Sequence, residues 1–386
     1  MIKVIFWVSA GAVVYSYTVY PLILALISRI RSTLYDVRCT TYGVQRTALT
    51  VTVIVSAYNE EKVIGDRIQN ILDSDYPKEK LEILIGSDGS TDNTNQIIES
   101  YTSRGVKLLK WVDRRGKISV LNDLVASSTG EIIVFSDANT IYKKDAIAKL
   151  VRGFRDENIG CVCGELIFRN AGESDTGNLE GVYWRYEQFL KKIEGSMGSL
   201  LGANGGIYAI RKNLFEPLDK DIIIDDFLIP MRILEKGYKV AYGPEAIAYE
   251  ETSKKIVQEM ERRIRIGAGD FQALVRTWHL LDPRRGFPAF AYFSHKVLRW
   301  FAPFFLICTL FANAFLVASP LYAVAFLLQA VFYTLAIGGK ILSSLKLKVK
   351  LFGLPYYFVS MNIALFLGFI RFCSGTQSAA WERTER

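Results

Sequence analysis

The sequence predicts an α/β domain with a mixed, mostly parallel sheet flanked by helices, joined to α-helical transmembrane segments. Between about residues 50 and 250, short β-prone runs alternate with segments of helical length. Such alternation requires crossover connections and therefore parallel strands. Half of the 386 residues are hydrophobic and the mean hydropathy is +0.18. The apolar residues concentrate in runs long enough to cross a bilayer.

The α/β pattern is clearest in the first part of that region. Four segments predict strands: "TVTVIVSAY", "LEILIGS", "VKLLKWV" and "EIIVFSD". Three segments between them predict helices: "NEEKVIGDRIQNIL", "TDNTNQIIESYTS" and "KISVLNDLVASS". The strands are rich in β-branched residues, and the helices carry apolar residues at a spacing of three to four.

Polar and charged side chains follow all four predicted strands. Glu60 comes shortly after the first strand and Asp88 ends the second. Lys117 follows the third, and Asp137 and Asn139 follow the fourth. Each has a structural explanation of its own, because aspartate caps turns and helices and lysine is common in a solvated first turn. Their recurrence at successive strand ends favours a binding site, since ligands bind parallel sheets beyond the carboxyl ends of the strands.

The oxygen-bearing side chains after the fourth strand suit a metal ion. Carboxylates and amides without histidine or cysteine favour a hard cation such as Mg²⁺ or Mn²⁺. Such ions bind through one or two protein oxygens together with substrate phosphates. We therefore expect Asp137 and Asn139 to hold one face of an ion whose other ligands are a diphosphate. Lys117 would add a positive charge to the same phosphates.

Uncharged runs towards both ends of the chain predict four membrane spans. The runs cover residues 4–28, 300–339 and 351–370. The second is forty residues long and is interrupted only at Ser319-Pro320, so it predicts a hairpin of two spans. Buried helices of a soluble core rarely extend beyond about 20 residues without charge. A signal peptide is disfavoured, because the first run exceeds an h-region of about 7–15 residues and no small-residue cleavage site follows.

Positive charge predicts how these spans are oriented. Arg29, Arg31 and Arg38 follow the first span, whereas only Lys3 precedes it. Because basic residues stay on the cytoplasmic side, we expect residues 30 to about 290 to be cytoplasmic at the cell membrane. Basic residues between the third and fourth spans predict the same side for that connection: Lys340, Lys346, Lys348 and Lys350. This count puts the C-terminal tail outside, unless the tail follows a re-entrant or interfacial segment.

Charge and cysteine content exclude other classes of protein. The formal net charge of +8 comes largely from the clusters beside the spans. Attraction to anionic lipid headgroups accounts for it without a nucleic-acid partner. Five cysteines, an odd number without a CxxC pair, fit a reducing compartment. A transporter is disfavoured because the predicted spans are few and carry no interior charge.

Six motifs occur in order along the chain: "VIVSAYNEE", "GSDGSTDNT", "RRGKISVLN", "SDANT", "GANGGIYAIRK" and "IIDDFLIPMRI". The series resembles the family-2 glycosyltransferases, and the resemblance covers about residues 50 to 300. Members are membrane-bound inverting enzymes with a GT-A-type, Rossmann-like nucleotide-diphospho-sugar fold. They include bacterial polysaccharide-assembly transferases and, more distantly, cellulose and hyaluronan synthases. The resemblance implies a UDP- or GDP-sugar donor and a lipid-linked or saccharide acceptor.

The resemblance also implies roles in donor binding. Asp88 would hydrogen-bond the nucleotide base, in a pocket lined by the backbone around Ala57 and by Glu60. Asp137 and Asn139 occupy the place of the Asp-x-Asp motif that binds metal and diphosphate. Asparagine replaces the second aspartate there, which lowers the charge offered to the metal. Further donor-binding positions are Lys117, Gly205, Arg262 and Arg265, with Gly205 and Gly206 allowing close approach of the backbone.

Asp226 matches the aspartate of the family's Glu-Asp or Asp-Asp motif and is expected to be the general base, with Asp225 in support. An acceptor hydroxyl must lose its proton as it attacks the anomeric carbon, and a positioned carboxylate contributes about 10²–10⁴-fold. A single displacement inverts the anomeric centre and requires one catalytic carboxylate. Helix capping is the alternative explanation, because both aspartates precede the helix-like "FLIPMRILEKG".

One position departs from the polymer-forming members of the family. Those members carry Gln-x-x-Arg-Trp after the base, whereas this chain has Arg262, Arg263 and Arg265 followed by Ile266. The retained arginine suits a diphosphate, and an interface with anionic lipid is the other explanation for the cluster. The missing aromatic platform argues against long-chain polymerisation.

Together these patterns predict five segments. They are an N-terminal transmembrane helix at 1–30, a cytoplasmic glycosyltransferase domain at 31–282, an amphipathic interfacial helix at 283–299, three transmembrane helices at 300–372 and a tail at 373–386. Aromatic and basic residues mix in the interfacial segment. His295, within it, is expected to be structural, because no metal-ligand spacing accompanies it.

The favoured function is an inverting glycosyltransferase that moves a sugar from a nucleotide-diphosphate donor to a lipid-linked or growing saccharide, assisted by Mg²⁺ or Mn²⁺. Two alternatives stay open. A polyprenyl-phosphate glycosyltransferase would use a phosphate acceptor and need no base at Asp226. A non-catalytic, nucleotide-sugar-sensing scaffold would keep the fold without transfer, and Asn139 and Ile266 keep that alternative open.

Overall fold

The structure is a computed structural model that describes residues 1–35, 49–169, 175–251, 256–345 and 350–378. The chain divides into two compact units. The sheet unit comprises Ser32–Arg169, Lys191–Ser253 and Ser378–Arg386, and the membrane unit comprises Met1–Arg31, Asn170–Leu190 and Lys254–Gln377. Some residues used in the sequence predictions lie outside the described residues, namely Arg38, Lys346, Lys348 and positions 379–386.

The sheet unit is built on one mixed sheet, which has eight strands within the described residues. The strands are β1 Val51–Ala57, β2 Leu81–Asp88, β3 Val106–Trp111, β4 Ile132–Asp137, β5 Ile141–Tyr142, β6 Ile159–Arg169, β7 Tyr208–Arg211 and β8 Lys239–Glu251. Their order is β3-β2-β1-β4-β7-β6-β8-β5. The first four strands pair in parallel, as do β6 and β8, whereas β7 and β5 run antiparallel to their neighbours. This arrangement confirms the predicted fold class.

Helices lie between the strands and make up most of the membrane unit. In chain order the described α-helices are α1 Ile2–Val14, α2 Tyr20–Tyr35, α3 Ile64–Leu72, α4 Thr94–Glu99, α5 Lys117–Ser127, α6 Ala146–Arg152, α7 Asp175–Ser196, α8 Asp225–Glu235, α9 Ile256–Thr277, α10 Phe287–Ala291, α11 Leu298–Trp300, α12 Ala302–Ala314, α13 Pro320–Ser344 and α14 Lys350–Cys373.

The centre of the sheet is apolar, and this fixes the start of α5. Strand β1 is buried from Val51 to Val55, as expected of parallel strands covered on both faces. Helix α5 packs closely on β2 at Gly86, where an added Cβ would lie 2.4 Å from Cγ1 of Val120. A larger residue at Gly86 would push α5 outwards. Lys117, the first residue of α5, is thereby held at the carboxyl end of the strands.

The predicted elements of the sheet unit form, but α3 and α4 are shorter than the segments predicted for them. The four predicted strands correspond to β1, β2, β3 and β4. The helix predicted from residue 59 begins at Ile64, because Asn59 adopts a left-handed conformation with φ of 54°. Asparagine tolerates this conformation. Its Oδ1 accepts a hydrogen bond from the Thr91 backbone N–H at 2.8 Å, which favours a loop over a helical turn.

Three helices among the described residues are long and apolar enough to cross a membrane: Ile2–Arg29, Pro320–Ser343 and Leu351–Cys373. A fourth candidate is the pair Phe287–Trp300 and Ala302–Ala314, bent by 59°. A broken span and a re-entrant loop both have this geometry. The sequence analysis placed the boundary between the interfacial helix at 283–299 and the spans at 300–372 next to this break. The break arises beside Pro303, which lacks the N–H that would continue the helix.

Close packing of small residues joins the helices of the membrane unit. A Cβ added at Gly368 on α14 would lie 2.7 Å from the backbone nitrogen of Ala268 on α9. One added at Gly339 on α13 would lie 2.6 Å from the carbonyl oxygen of Phe352 on α14. Such contacts are typical of helices that associate in a bilayer, where small residues let backbones approach.

Candidate active site

Lys117 connects two elements of the polar cluster at the carboxyl ends of the strands. Its Nζ lies 3.2 Å from Oδ1 of Asp225, at the start of α8, and 3.6 Å from Oδ1 of Asp137, at the end of β4. Burial acts to lower the pKa of Lys117. The carboxylates of Asp225, Asp137 and Asp226 outweigh it and raise the pKa above its ordinary value. The lysine is therefore a charged bridge between β4 and α8.

The two aspartates at the start of α8 have different surroundings. Asp225 is buried and forms the ion pair with Lys117. Asp226 is half-buried, and its Oδ2 faces Gly205, where an added Cβ would lie 3.0 Å away. The Ala203 backbone N–H donates to the Asp226 carbonyl at 2.9 Å and keeps this loop against α8. Asp226 is thus the more open of the two carboxylates, and glycine at position 205 leaves it room.

The loop that contains Gly205 and Gly206 is held tightly in place. Oδ1 of Asn204 accepts a hydrogen bond from Lys191 Nζ at 2.5 Å, and its Nδ2 donates to the Gly164 carbonyl at 2.8 Å. A Cβ added at Gly206 would lie 2.7 Å from Oγ1 of Thr140. The backbone of this loop therefore packs where no side chain fits, which is the structural reason for the paired glycines.

Asp137 ends β4 and Asn139 lies on the turn that follows, where Glu250 of β8 contacts it. The side chain of Asp137 is 38% exposed. Nδ2 of Asn139 donates to Oε1 of Glu250 at 3.1 Å, and Glu250 is itself buried. Because the amide nitrogen faces Glu250, the amide oxygen of Asn139 points away from it.

A buried network supports the backbone after Asn139. Asn70 of α3 exchanges two hydrogen bonds with the Tyr142 backbone, at 2.8 and 2.9 Å, and the guanidinium of Arg67 lies 4.0 Å from the centre of the Tyr142 ring. Burial lowers the pKa of Arg67 to about 10 and raises that of Tyr142 to about 12. The Tyr142 hydroxyl donates to the Gly206 carbonyl at 2.9 Å. Helix α3 therefore helps to fix both the turn after β4 and the glycine loop.

Asp88 organises the loop that leads to Lys117. It is buried at the end of β2, where its Oδ1 accepts from the Arg115 N–H at 2.6 Å and its Oδ2 from the Gly116 N–H at 2.9 Å. Gly116 has φ of 87°, a conformation that favours glycine, and directly precedes Lys117. This supporting role was not predicted from the sequence. The contact of Asp88 with a nucleotide base stays a prediction.

Ala57 and Glu60 lie where β1 leads into α3, and hydrogen bonds tie this loop to the one after β2. The backbone N–H of Asn59 donates to Oγ of Ser90 at 3.1 Å, and that of Glu60 donates to Oγ1 of Thr94 at 2.8 Å. Together with the hydrogen bonds of Asp88, these contacts connect the loops after the first, second and third strands.

The residues after β4 fit a divalent ion that substrate holds in part. In the described part of the chain, no group of three or more His, Cys, Asp or Glu side chains could hold a metal ion. Asp137 and Asn139 offer one carboxylate and one amide, which matches the one or two protein ligands of Mg²⁺ at phosphate sites.

The remaining predicted residues lie in the membrane unit. Arg262 and Arg265 are on α9, where Nη1 of Arg262 lies 3.6 Å from Oε2 of Glu259. Ile266 lines a cavity of this unit. The part of the two arginines in donor binding stays a prediction. His295 is buried, and its Nε2 lies at hydrogen-bond distance, 3.2 Å, from Oε2 of Glu187.

Sequence reasoning missed Glu250 and the pair Asn70 and Tyr142. Glu250 has the same sequence signal as Asp88 and Asp137, a carboxylate at the end of a strand, but its strand β8 lies beyond the four strands predicted from the sequence. Asn70 and Tyr142 carried no comparable signal, because their role depends on contacts between distant parts of the chain.

A family model and curated relatives match this chain. The model described as glycosyl transferase family 2 matches residues 52–218. Over 256 residues the chain is 25% identical to a "Poly-beta-1,6-N-acetyl-D-glucosamine synthase" of Staphylococcus aureus (strain COL), a match that covers 64% of this chain and 61% of that protein. Over 290 residues it is 27% identical to the "Probable glycosyltransferase YdaM" of Bacillus subtilis (strain 168), covering 70% and 67%. The match to the synthase therefore spans less than two thirds of its length.

A solved structure shares the fold. It is described as "Mannosyltransferase PcManGT from Pyrobaculum calidifontis in complex with GDP-Man and Mn2+" and aligns with a TM-score of 0.68 at 20% identity. The alignment covers 97% of this chain and 100% of that one. The likeness confirms the GT-A-type fold predicted from the motifs.

Proposed function

We propose that this chain, in which residues 52–218 form a family 2 glycosyltransferase domain, transfers a sugar from a nucleotide-diphosphate donor to a saccharide or lipid-linked acceptor, with inversion. One observation carries the proposal. Lys117 lies between Asp225 and Asp137, and the half-buried Asp226 acts on its charge from the same cluster. The sheet unit therefore brings together three groups that the transfer needs. Lys117 is a cation for the leaving group, Asp137 is a ligand for a metal ion, and Asp226 is an open carboxylate.

The transfer is a single displacement in which Asp226 accepts a proton. The acceptor oxygen forms a bond to the anomeric carbon while its proton passes to a carboxylate oxygen of Asp226. On the opposite face, the bond from the anomeric carbon to the diphosphate oxygen breaks, and its electron pair leaves with the nucleoside diphosphate. Attack and departure on opposite faces invert the configuration. Asp225 holds Lys117 in position and takes no proton.

Lys117 stabilises the charge that develops on the departing diphosphate. Its ammonium already lies between two carboxylates, so a diphosphate that binds there gains a preorganised cation. A divalent ion at Asp137 and Asn139 would act as a Lewis acid towards the same charge. Support comes from the described contents of the mannosyltransferase structure, which include GDP-Man and Mn²⁺.

The nucleotide base of the donor is proposed to bind at the connected loops of the sheet unit. Asp88, the backbone around Ala57 and Glu60 would surround it, as the family resemblance implies. Arg262 and Arg265 would add positive charge for the phosphates.

The acceptor is proposed to be a saccharide, free or linked to a lipid, at the cytoplasmic face of the membrane. The printed name of the staphylococcal relative, a polysaccharide synthase, supports a saccharide acceptor. Three candidate spans support a membrane location. The basic residues that follow the first span, beginning at Arg29, support a cytoplasmic sheet unit.

Release of nucleoside diphosphate by the purified full chain tests this proposal. The protein is incubated with a panel of UDP- and GDP-sugars and an acceptor extract, with Mn²⁺, with Mg²⁺ or with a chelator. We expect one donor to release nucleoside diphosphate well above the others, and the chelator to suppress the release. Nucleotide binding without release from any donor would favour the sensing scaffold and contradict the proposal.

A further inference from the structure

The membrane unit contains a cavity that takes no part in the proposed transfer chemistry. Its volume is about 470 Å³, within the range of about 300–1,000 Å³ typical of small-molecule sites. Side chains from α7, α9, α11 and α14 line it, together with residues of the π-helical segments Tyr15–Val19 and Tyr292–Val297. All of these lining residues belong to the membrane unit.

Charged groups line part of the cavity. The cations are Arg263, Lys296 and Arg299, and the carboxylates are Glu187 and Asp270. A membrane-embedded helical unit rarely keeps such groups without a functional or structural partner for each.

Ion pairs account for two of the three cations. Nη1 of Arg299 contacts Oε1 of Glu187, and Nε of Arg263 lies 2.7 Å from Oε1 of Glu259. Burial acts to raise the pKa of Glu187, but Arg299, His295 and Lys296 outweigh it and lower the pKa well below its ordinary value. Glu187 is therefore ionised and neutralises Arg299.

Lys296 differs from both arginines. It is half-buried at the cavity and, within the described ranges, makes no hydrogen bond or ion pair. Glu187 acts on its charge only from beyond ion-pair distance, and an ammonium that is partly removed from water without a contacting partner costs free energy. An anionic ligand in the cavity would supply that partner.

Much of the remaining lining is apolar and comes from a candidate membrane span. Leu354, Phe358 and Leu365 of α14 line the cavity, and Trp300 of α11 adds an aromatic surface. A ligand that fills this site therefore needs an anionic group for Lys296 and hydrocarbon for the wall of α14.

We infer that this cavity binds the phosphate-bearing headgroup and first carbons of a membrane lipid. The phosphate accepts a charge-assisted hydrogen bond from Lys296, and the hydrocarbon packs against α14. Free phosphate would leave the apolar wall unfilled, and an uncharged lipid would leave Lys296 without a partner. The inference concerns binding alone and does not require the proposed sugar transfer.

Native mass spectrometry of the unaltered full chain in detergent tests the headgroup. The probes are undecaprenyl phosphate, dioleoyl phosphatidylglycerol, undecaprenol and inorganic phosphate. We expect at least one phosphorylated lipid to bind about tenfold or more tightly than undecaprenol and inorganic phosphate, as one charge-assisted hydrogen bond allows. Whichever of the two phosphorylated lipids binds more tightly shows whether the site prefers an isoprenoid or an acyl chain. Equal binding of undecaprenol and its phosphate, or tight binding of inorganic phosphate alone, would overturn the inference.

Three variants locate the site. Lys296→Ala should weaken binding of the phosphorylated lipid about tenfold. Lys296→Arg, which keeps the charge, should retain the binding. Lys3→Ala removes the same charge from the same unit outside the cavity and should bind as the unaltered chain does. Unchanged binding by Lys296→Ala would contradict the inference. The comparison of the phosphorylated lipids with undecaprenol and inorganic phosphate tests the inference independently, because it uses no variant.

Discussion

The ammonium of Lys117 lies 3.2 Å from the carboxylate of Asp225, whose side chain is only 9% exposed. This pair joins the first residue of α5 to the first residue of α8. It also separates the roles of two adjacent aspartates. Asp225 forms an ion pair with Lys117, whereas the half-buried Asp226 faces the glycine loop. The proposed base is therefore the aspartate that does not hold the cation.

Lys117→Met should reduce both activity and stability. Loss of one preorganised charge from the leaving-group site is expected to slow nucleoside diphosphate release about 10²–10³-fold. The change also leaves Asp225 and Asp137 facing each other without a cation. We expect about 1–3 kcal/mol of destabilisation, less than for a fully buried pair because 28% of the Lys117 side chain is exposed. Thermal unfolding and donor turnover measure the two effects.

The double variant Lys117→Met with Asp225→Asn is the matched control. Removing both charges should restore most of the melting temperature, because no buried carboxylate is left without a partner. Turnover should stay low, because the leaving group still lacks its cation. Recovery of turnover in the double variant would show that Lys117 acts only through the fold.

Asp226→Asn tests the general base. We expect turnover to fall about 10²–10⁴-fold with nucleotide binding retained, because the amide cannot accept the acceptor's proton. Asp225→Asn should behave differently, weakening the hold on Lys117 and lowering stability as well as turnover. Titration with nucleoside diphosphate and a turnover assay separate the two variants. Undiminished turnover by Asp226→Asn would favour a phosphate acceptor that needs no base.

The convergence of Lys117 and Asp137 followed from the sequence, whereas the division of roles between Asp225 and Asp226 did not. Parallel strands end at one edge, so residues that follow successive strands meet there whatever their rotamers. Which of two adjacent aspartates faces a lysine depends on how α8 is rotated against α5. Tertiary packing decides that rotation, and local patterns do not record it.

The contact of Asn139 with Glu250 lay beyond sequence reasoning for a related reason. The two residues are 111 positions apart. They meet because β8 pairs with β6 and with the short strand β5 that follows Asn139. Pairing between distant strands leaves little trace in either segment.

The stability of the sheet unit should depend on pH through Glu82. This carboxylate on β2 accepts hydrogen bonds from Lys107 Nζ at 2.7 Å and Thr52 Oγ1 at 2.5 Å. Burial acts to raise its pKa, but Lys107, Thr52 and Thr129 outweigh it and lower the pKa to about 2. A depressed pKa contributes stability that is present above the unfolded value and lost as the pH falls through the folded value. The expected window is therefore about pH 4.5 to 2.

Glu82→Gln should flatten that dependence. Over the window, the unaltered chain should lose about 1–2 kcal/mol more than the variant, a figure reduced by screening because Lys107 is 60% exposed. Melting temperature against pH measures the difference. Glu99→Gln is the control, because Glu99 and its partner Lys110 are both exposed and such pairs contribute little. Parallel curves for the unaltered chain and Glu82→Gln would contradict the prediction.

Glu250 gives a physical reason for asparagine at position 139. Asn139→Asp would replace a hydrogen bond to the buried Glu250 carboxylate with two like charges about 3 Å apart. We expect this variant to lose about 1–3 kcal/mol of stability and to gain no affinity for Mn²⁺, despite its added ligand charge. Adding Glu250→Gln should restore the melting temperature, because the amide can donate to the new aspartate. The double variant should then need several-fold less Mn²⁺ for half-maximal turnover than the unaltered chain, since two carboxylates would face the ion. Tighter Mn²⁺ dependence in Asn139→Asp alone, with no loss of melting temperature, would show that Glu250 does not constrain this position.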